Sequence, residues 1–346
     1  MKWLKYPLPR QFSTTFLIGM VLILIPLLLP LIGIPAYLLR VLTYIFMWIG
    51  LAGSFNTIYG YTGRVDFGHV AFFGIGAFVV SILLLNTSIP WPLALLLCGI
   101  AAAIIALLVG IPTLRLHGAY FAIAMWALAE ALKQLFIVLE ITGGSYGLVP
   151  PMILSSTQCY YLMFIVAVAT TLTNLAIEKS KIGYALRAIK ASEIAAETSG
   201  IDVPKYRLIA FIISAFFPGI IGGIYALLIL YAHPDDAFAS LKTDQMVVMT
   251  LLGGAGSYIG PIIGATILMI IYEALWTYFS EILYLIFLGI LIVAVVILMP
   301  EGILGLLKRG VKKEKSLQYI NIKRLPRDPL GILKTLVARR IGKSER

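Results

Sequence analysis

The sequence is short of charge. Only 12% of its 346 residues are Asp, Glu, Lys or Arg and 60% are hydrophobic, whereas a soluble domain is about 25% charged and about 45–50% apolar. A water-soluble fold of this composition would leave much apolar surface wet. That excludes an ordinary soluble enzyme, a disordered protein and a nucleic-acid module. The net charge of +11 does not restore nucleic acid as a partner, because the basic residues are confined to a few hydrophilic stretches. Cysteine is scarce as well. Cys98 and Cys159 build no disulfide framework, no CxxC suggests a metal, and both read as small apolar side chains. Catalytic signatures are missing: there is no GxSxG, no HExxH and no P-loop. The adjacent carboxylates Asp235 and Asp236 follow His233 and Pro234 in a short loop. Without a second acidic cluster to hold magnesium-bound phosphates, they read as a solvated turn rather than the centre of a membrane-embedded transferase.

Long apolar runs are plentiful. A spanning helix takes roughly 20 apolar residues at about 1.5 Å each. Runs of this kind cover 14–34, 37–58, 65–85, 91–112, 119–139, 160–178, 207–231, 243–256, 258–276 and 282–299. The pattern predicts an all-α integral membrane protein of about ten transmembrane helices, some short or broken. The third run is interrupted by Gly68, Gly74 and Gly76, and the eighth is short and glycine-rich. Irregular backbone inside a bilayer survives only where protein or a water-filled cavity satisfies it, so such segments point to a pathway. The first run follows Lys2, Lys5 and Arg10, as a signal peptide would. It is long, carries Pro26 and Pro30, is followed by Pro35 and lacks a clear cleavage site, so it reads as a retained helix.

Basic residues orient the chain. Three precede the first run, six lie in 179–207 and thirteen in 308–346, while 140–159 and 232–241 have none. By the positive-inside rule, both termini and the loop 179–206 are cytoplasmic, and 140–159 and 232–241 are outside. The expected organisation is a cytoplasmic segment 1–13, a membrane domain 14–307 and a basic tail 308–346 that meets anionic lipid or extends into solvent. Arg40, near the outer end of the second run, is the exception, and it can snorkel to the headgroups.

Ionisable residues within spans are few. Glu130 and Lys133 share a helix face and read as a local ion pair. Glu273 reads as interfacial. Asp66 and His69 flank Gly68 and read as interfacial or bonded to freed backbone groups. No aspartate is evident at a midplane position, which argues against the alternative of an ion-coupled secondary transporter. Small residues mark close-packing faces: Gly219, Gly222 and Gly223 on one run, and Gly253, Gly254, Gly256, Gly260 and Gly264 on others. The internal segment 179–206 is too long for a simple turn. From 184 to 198 it has no glycine or proline, with Ser192 as a possible cap, Gly200 as a stop and Pro204 barring continuation. A short helix below the membrane, offering small alanines to a partner, is expected.

Several stretches, in order, carry a resemblance: GRVDFGHVAFFGIGAF (63–78), TLRLHGAYFAIAMW (113–126) with Glu130, TGGSYGL (142–148), LRAIKASEIAAETSGIDV (186–203), KYRLIAFIISAFFPG (205–219), LLGGAGSYIGPIIG (251–264) and PEGI (300–303). Over most of 37–305 the chain resembles the LivM-type permeases of ABC importers for branched-chain amino acids. The resemblance implies that 186–203 is a coupling loop of EAA type, with Glu193, Ile194, Ala195, Ala196 and Gly200 as docking positions on a cytoplasmic ATPase. It implies no cofactor on this chain, with ATP and magnesium used by two ABC ATPase subunits. It also implies a second homologous permease, an extracytoplasmic solute-binding protein and a place in the plasma membrane. Family members move leucine, isoleucine and valine, and others move urea, amides or other amino acids. Gly68, His69, Phe72, Phe73, Gly74, Gly76, Phe216 and Phe217 are candidate pathway or gate residues, with lipid or helix packing as their alternative role.

Overall fold

The computed structural model describes residues 35–278, positions 283, 286, 289, 290 and 293, and residues 302–305. The first expected span, the segment 1–13, the basic tail and most of the tenth span lie outside the described residues.

The helices start and stop where local chemistry directs. α1 (Ala36–Thr62) begins after Pro35 and ends at Gly63, whose φ of 75° is the left-handed turn that lets its N–H return to the Tyr59 carbonyl. α2 (Val70–Asn86) follows an irregular lead-in. α3 (Trp91–Thr113) starts after Pro90, and α4 (Ala119–Val138) after Gly118. Two 3-10 turns, Glu140–Thr142 and Gly144–Tyr146, lead to α5 (Ser156–Lys179), which opens on a capping box between Ser155 and Gln158. Then come α6 (Lys181–Ala191), α7 (Glu193–Thr198), α8 (Val203–Ile229), α9 (Pro234–Ala237), α10 (Ser240–Gly253) and α11 (Gly260–Tyr278). Among the described residues there is no strand, and one isolated antiparallel bridge joins Leu148 to Ala232.

The protein is an all-α membrane protein. α1, α3, α4, α5 and α8 are long and apolar enough to cross a bilayer, and α2 and most of α11 are apolar but shorter. The expected eighth span is the 14-residue helix α10. At 1.5 Å per residue it covers about 21 Å, less than the roughly 30 Å of a hydrocarbon core. The expected interruption of the third span also differs. The break precedes α2, at 63–69, and the helix runs unbroken through Gly74 and Gly76. Tertiary contacts override the weak helix propensity of those two glycines.

α8 is the hub. It packs on α1, α2, α3 and α5, while α1 also packs on α5, α10 and α11. α1 is buried over most of its surface, and α4 shows most of its surface to the surroundings. A core of Ile58, Tyr61, Phe72, Met125, Ala210 and Phe211 joins α1, α2, α4 and α8, and it extends to Leu186 and Ile189 of α6 and Ala196 of α7.

Candidate functional site: the coupling segment and the glycine seams

The segment between α5 and α8 folds as two helices. Ser192 is extended (φ −162°, ψ 115°), and its hydroxyl accepts from the Ala195 N–H at 3.3 Å, so α7 starts afresh. Gly200, at φ 83°, closes α7: its N–H meets the Glu197 carbonyl, and Ile201 N–H meets that of Ala196. α7 is two-faced. Ala196 is buried in the core, whereas Ala195, Glu197 and Gly200 are exposed and Ile194 is 76% exposed.

Glu193 points into the protein. Arg207 of α8 grips its carboxylate bidentately, Nη2 to Oε2 at 2.6 Å. Arg64 Nη2 stands 3.7 Å away, and His117, in the turn before α4, lies 3.9 Å from the other oxygen. The Arg64 guanidinium also donates to the Leu116 carbonyl and lies over the Phe121 ring. The Arg207 hydrogen bond holds the Glu193 carboxyl below the usual carboxylate range, aided by the charges of Arg207, Arg64 and His117 against the effect of burial. One carboxylate thus ties α7 to α8, to the lead-in of α2 and to the turn before α4. Lys190 Nζ adds a bond to the Gly60 carbonyl at 2.8 Å, linking α6 to the end of α1.

The candidate pathway residues fall on two elements. Gly68 and His69 precede α2, Phe72, Phe73, Gly74 and Gly76 lie on it, and Phe216 and Phe217 lie on α8. Asp66 and His69 are fully buried. Asp66 accepts from the Gly68 N–H at 3.0 Å and pairs with His69 Nδ1 at 3.0 Å, and His69 Nε2 meets Ser54 Oγ at 3.1 Å. Both residues therefore sit inside the bundle. The irregular lead-in frees backbone donors there, and the Asp66 carboxylate satisfies one of them. Phe72 stacks edge-on with Phe211, and Phe73 packs on Tyr225.

The glycines form seams at which backbones touch. A Cβ on Gly76 would overlap the Gly219 carbonyl, and one on Gly222 would overlap that of Phe73, so α2 and α8 meet main chain to main chain. Between α10 and α11, Gly253 lies against the Gly260 carbonyl and Gly264 against that of Met249, while Gly254 and Gly256 take positive φ in the turn. A second polar knot had no signal in the sequence. Asn56 Nδ2 donates to Asn174 Oδ1 at 2.9 Å, the Asn56 oxygen accepts from the Gly256 N–H at 2.8 Å, and Asn174 donates to the Gly53 carbonyl. Asn56 and Asn174 are 118 residues apart, and only the packing of α1 on α5 brings them together.

At the far ends of α8 and α4, opposite the coupling segment, the two segments without basic residues are clasped. Leu148 and Ala232 exchange backbone hydrogen bonds of 3.0 and 2.8 Å, and the Tyr231 hydroxyl donates to the Tyr146 carbonyl. Lys133 pairs with Asp235 at 2.8 Å rather than with Glu130, which accepts from Gln134. Lys242 pairs with Asp236 at 2.6 Å, so Asp235 and Asp236 form no merely solvated turn. Each carboxylate anchors a lysine from another helix, because α9 folds back over the ends of α4 and α10. With Asp235 62% exposed, Lys133→Ala is expected to cost less than about 1 kcal/mol of stability. It should nonetheless raise amide exchange at 231–238, and unchanged exchange there would show that the pair does not hold the clasp.

A family model described as branched-chain amino acid transport system / permease component matches residues 37–296. The chain is 27% identical over 303 residues to the high-affinity branched-chain amino acid transport system permease protein LivM of Escherichia coli K12, covering 78% of this chain and 70% of that one. It is 26% identical to the protein of the same name from Salmonella typhimurium LT2, with the same coverage. A 105-residue stretch, 30% of this chain and 32% of the relative, is 35% identical to a probable branched-chain amino acid transport permease protein LivH of Methanocaldococcus jannaschii. No solved structure matches. With three quarters of its length matched by one family model, and a bundle of apolar helices to go with it, the chain belongs to the permease component family of branched-chain amino acid transport systems.

Proposed function

We propose that this chain is the membrane-spanning subunit of an ATP-driven importer of branched-chain amino acids in a bacterial or archaeal plasma membrane. A second, homologous permease completes the pathway, and an extracytoplasmic binding protein delivers the solute. Two ATPase subunits, which hold the ATP and magnesium, dock on α6 and α7. The observation that carries this reading is the two-faced α7, with Ile194 and Ala195 outward and Ala196 and Glu193 inward. An exposed isoleucine beside a small alanine suits a groove in a partner. The inward face provides transmission, because Glu193 and Lys190 connect the segment to α8, the α2 lead-in, the turn before α4 and the end of α1. ATP-driven closure of the partners would move α6 and α7 as a rigid piece, and the ends of α1 and α8 would follow. The difference in free energy between the two states comes from the partner's contacts with nucleotide.

Ile194→Asp tests the assignment, since the side chain makes no core contact whose loss could unfold the spans. Co-purification of the ATPases and ATP-driven leucine uptake in proteoliposomes are expected to fall at least about tenfold, the effect of roughly 1.4 kcal/mol at an interface. Undiminished recovery and uptake would overturn the docking surface.

A further inference from the structure

A cavity of about 480 Å³ opens at the end of the bundle opposite the coupling segment. Its walls come from the start of α1, the end of α8, α9, the start of α10 and the second half of α11. From Arg40 on its rim to Gly60, where Lys190 attaches, α1 rises about 30 Å at 1.5 Å per residue, so the two sites lie at opposite ends of that helix. The volume is in the range of small-ligand sites, roughly 300–1,000 Å³.

Its charges are balanced. Arg40 and Lys242 supply two cations, and Asp236 and Glu273 supply two anions. Lys242 is only 11% exposed, is tied to Asp236 at 2.6 Å, and lies over the Phe73 and Tyr225 rings at 5.5 Å. Glu273 accepts from the Tyr37 hydroxyl, and the Arg40 guanidinium lies 5.5 Å over the Tyr37 ring. Arg40, Asp236 and Glu273 all lie within electrostatic reach of Tyr44, whose side chain also lines the cavity. Arg40, like Lys242 beside it, is a basic residue on the side that the positive-inside rule leaves poor in them.

The rest of the wall is apolar and adaptable. Met47, Trp48 and Met269 are buried there, and thioether side chains mould to aliphatic groups of differing shape. A net-charged solute would leave an uncompensated charge against a balanced wall, and a purely apolar one would strip water from four charged side chains and return no polar contact to them. A small molecule bearing one carboxylate, one ammonium and an aliphatic side chain uses all three surfaces. We infer that this cavity is a binding station for a zwitterionic aliphatic amino acid. The solute's carboxylate is held by Arg40 with Lys242, its ammonium by Asp236 with Glu273, and its side chain by Met47, Trp48 and Met269. The inference rests on the proposed function and specifies where, in this chain, the solute first binds.

The test is equilibrium binding of radiolabelled leucine to the purified full-length chain in phosphatidylglycerol nanodiscs, paired with uptake by cells carrying the complete system. Saturable binding is expected, competed by valine but neither by 4-methylpentanoate, which lacks the ammonium, nor by isoamylamine, which lacks the carboxylate. Arg40→Gln and Asp236→Asn should each weaken binding about tenfold or more, as expected for losing a charge-assisted hydrogen bond, and Arg40→Lys should recover part of it. Wild-type affinity in both neutralised variants would overturn the inference. So would equal competition by either half-analogue, or displacement of leucine when phosphatidylethanolamine is added, since that would make a lipid headgroup the occupant. Cellular uptake separates the two levels. If leucine uptake requires the chain but ignores Arg40→Gln and Asp236→Asn, the cavity is wrong and the transport reading stands. If uptake does not require the chain, the transport reading itself falls.

Discussion

Glu193→Ala is expected to cut the strongest link between the coupling segment and the spans. Arg207 is only 5% exposed and would lose its bidentate partner. Removing one member of a buried pair costs about 3–5 kcal/mol. Because 29% of the Glu193 side chain meets solvent, the lower end, about 3 kcal/mol, is the expected figure. The loss should be local, with faster amide exchange over 186–201 and the helical content of the spans unchanged. ATP hydrolysis by the assembled partners should persist while uptake falls, because docking by the outer face of α7 survives and transmission does not. Arg207→Ala should produce the same defect, and the double substitution should be less harmful than the sum of the two, since the Arg207 charge is no longer there to be left unpaired. Additive effects would show that the two residues act separately. The link should also have a defined acid limit. Arg207 holds the Glu193 carboxyl below its ordinary value near 4.3. The contribution is therefore complete above that value and fades only as pH falls through the lower, folded-state value. Exchange over α7 should stay flat from neutrality to about pH 5 and rise below about pH 4; a rise already between about pH 7 and 5 would show that the Glu193 carboxylate is not what holds α7.

Gly222→Ala is the second large effect. The added methyl would meet the Phe73 carbonyl and its flanking backbone. Two main chains cannot yield as a side chain does, so α2 and α8 must move apart. Overpacking typically costs about 1–3 kcal/mol, and the upper end is expected because the opposing atoms are backbone. Gly223 is the internal control. A Cβ there meets Cys98 Sγ and Leu95 Cδ2 at 3.1 Å, the ends of movable side chains, so Gly223→Ala should cost less than about 1 kcal/mol. Yield and thermal stability in detergent report the difference. Equal behaviour of the two variants would mean that the α2–α8 seam does not limit stability.

Much of the molecule could be read from order and composition alone. Apolar runs of spanning length produce helices regardless of what surrounds them, because a bilayer leaves backbone groups no other partner. Pro35, Pro90 and Gly63 end or begin helices through their own φ preferences. Ser192 and Gly200 delimit α7 in the same local way. None of these requires knowing what lies across the bundle.

What lies across the bundle needed the tertiary structure. Gly74 and Gly76 look like a break in the chain, yet they are contact points, because Phe238 and α8 press on them from elements far away in sequence. Lys133 has a carboxylate three residues back and uses one 102 positions ahead instead, since α9 folds over the end of α4. The motif containing Glu193 is visible in the sequence, but the direction of its carboxylate is not. That direction depends on Arg207 beginning a helix that returns beside α7, and on the 63–69 lead-in bringing Arg64 to the same place. Local propensity acts through neighbours along the chain, whereas charge pairing and backbone contact act through space. The sequence alone therefore determined the helices and their ends, while the pairs, the seams and the cavity at Arg40 were decided only by how those helices pack.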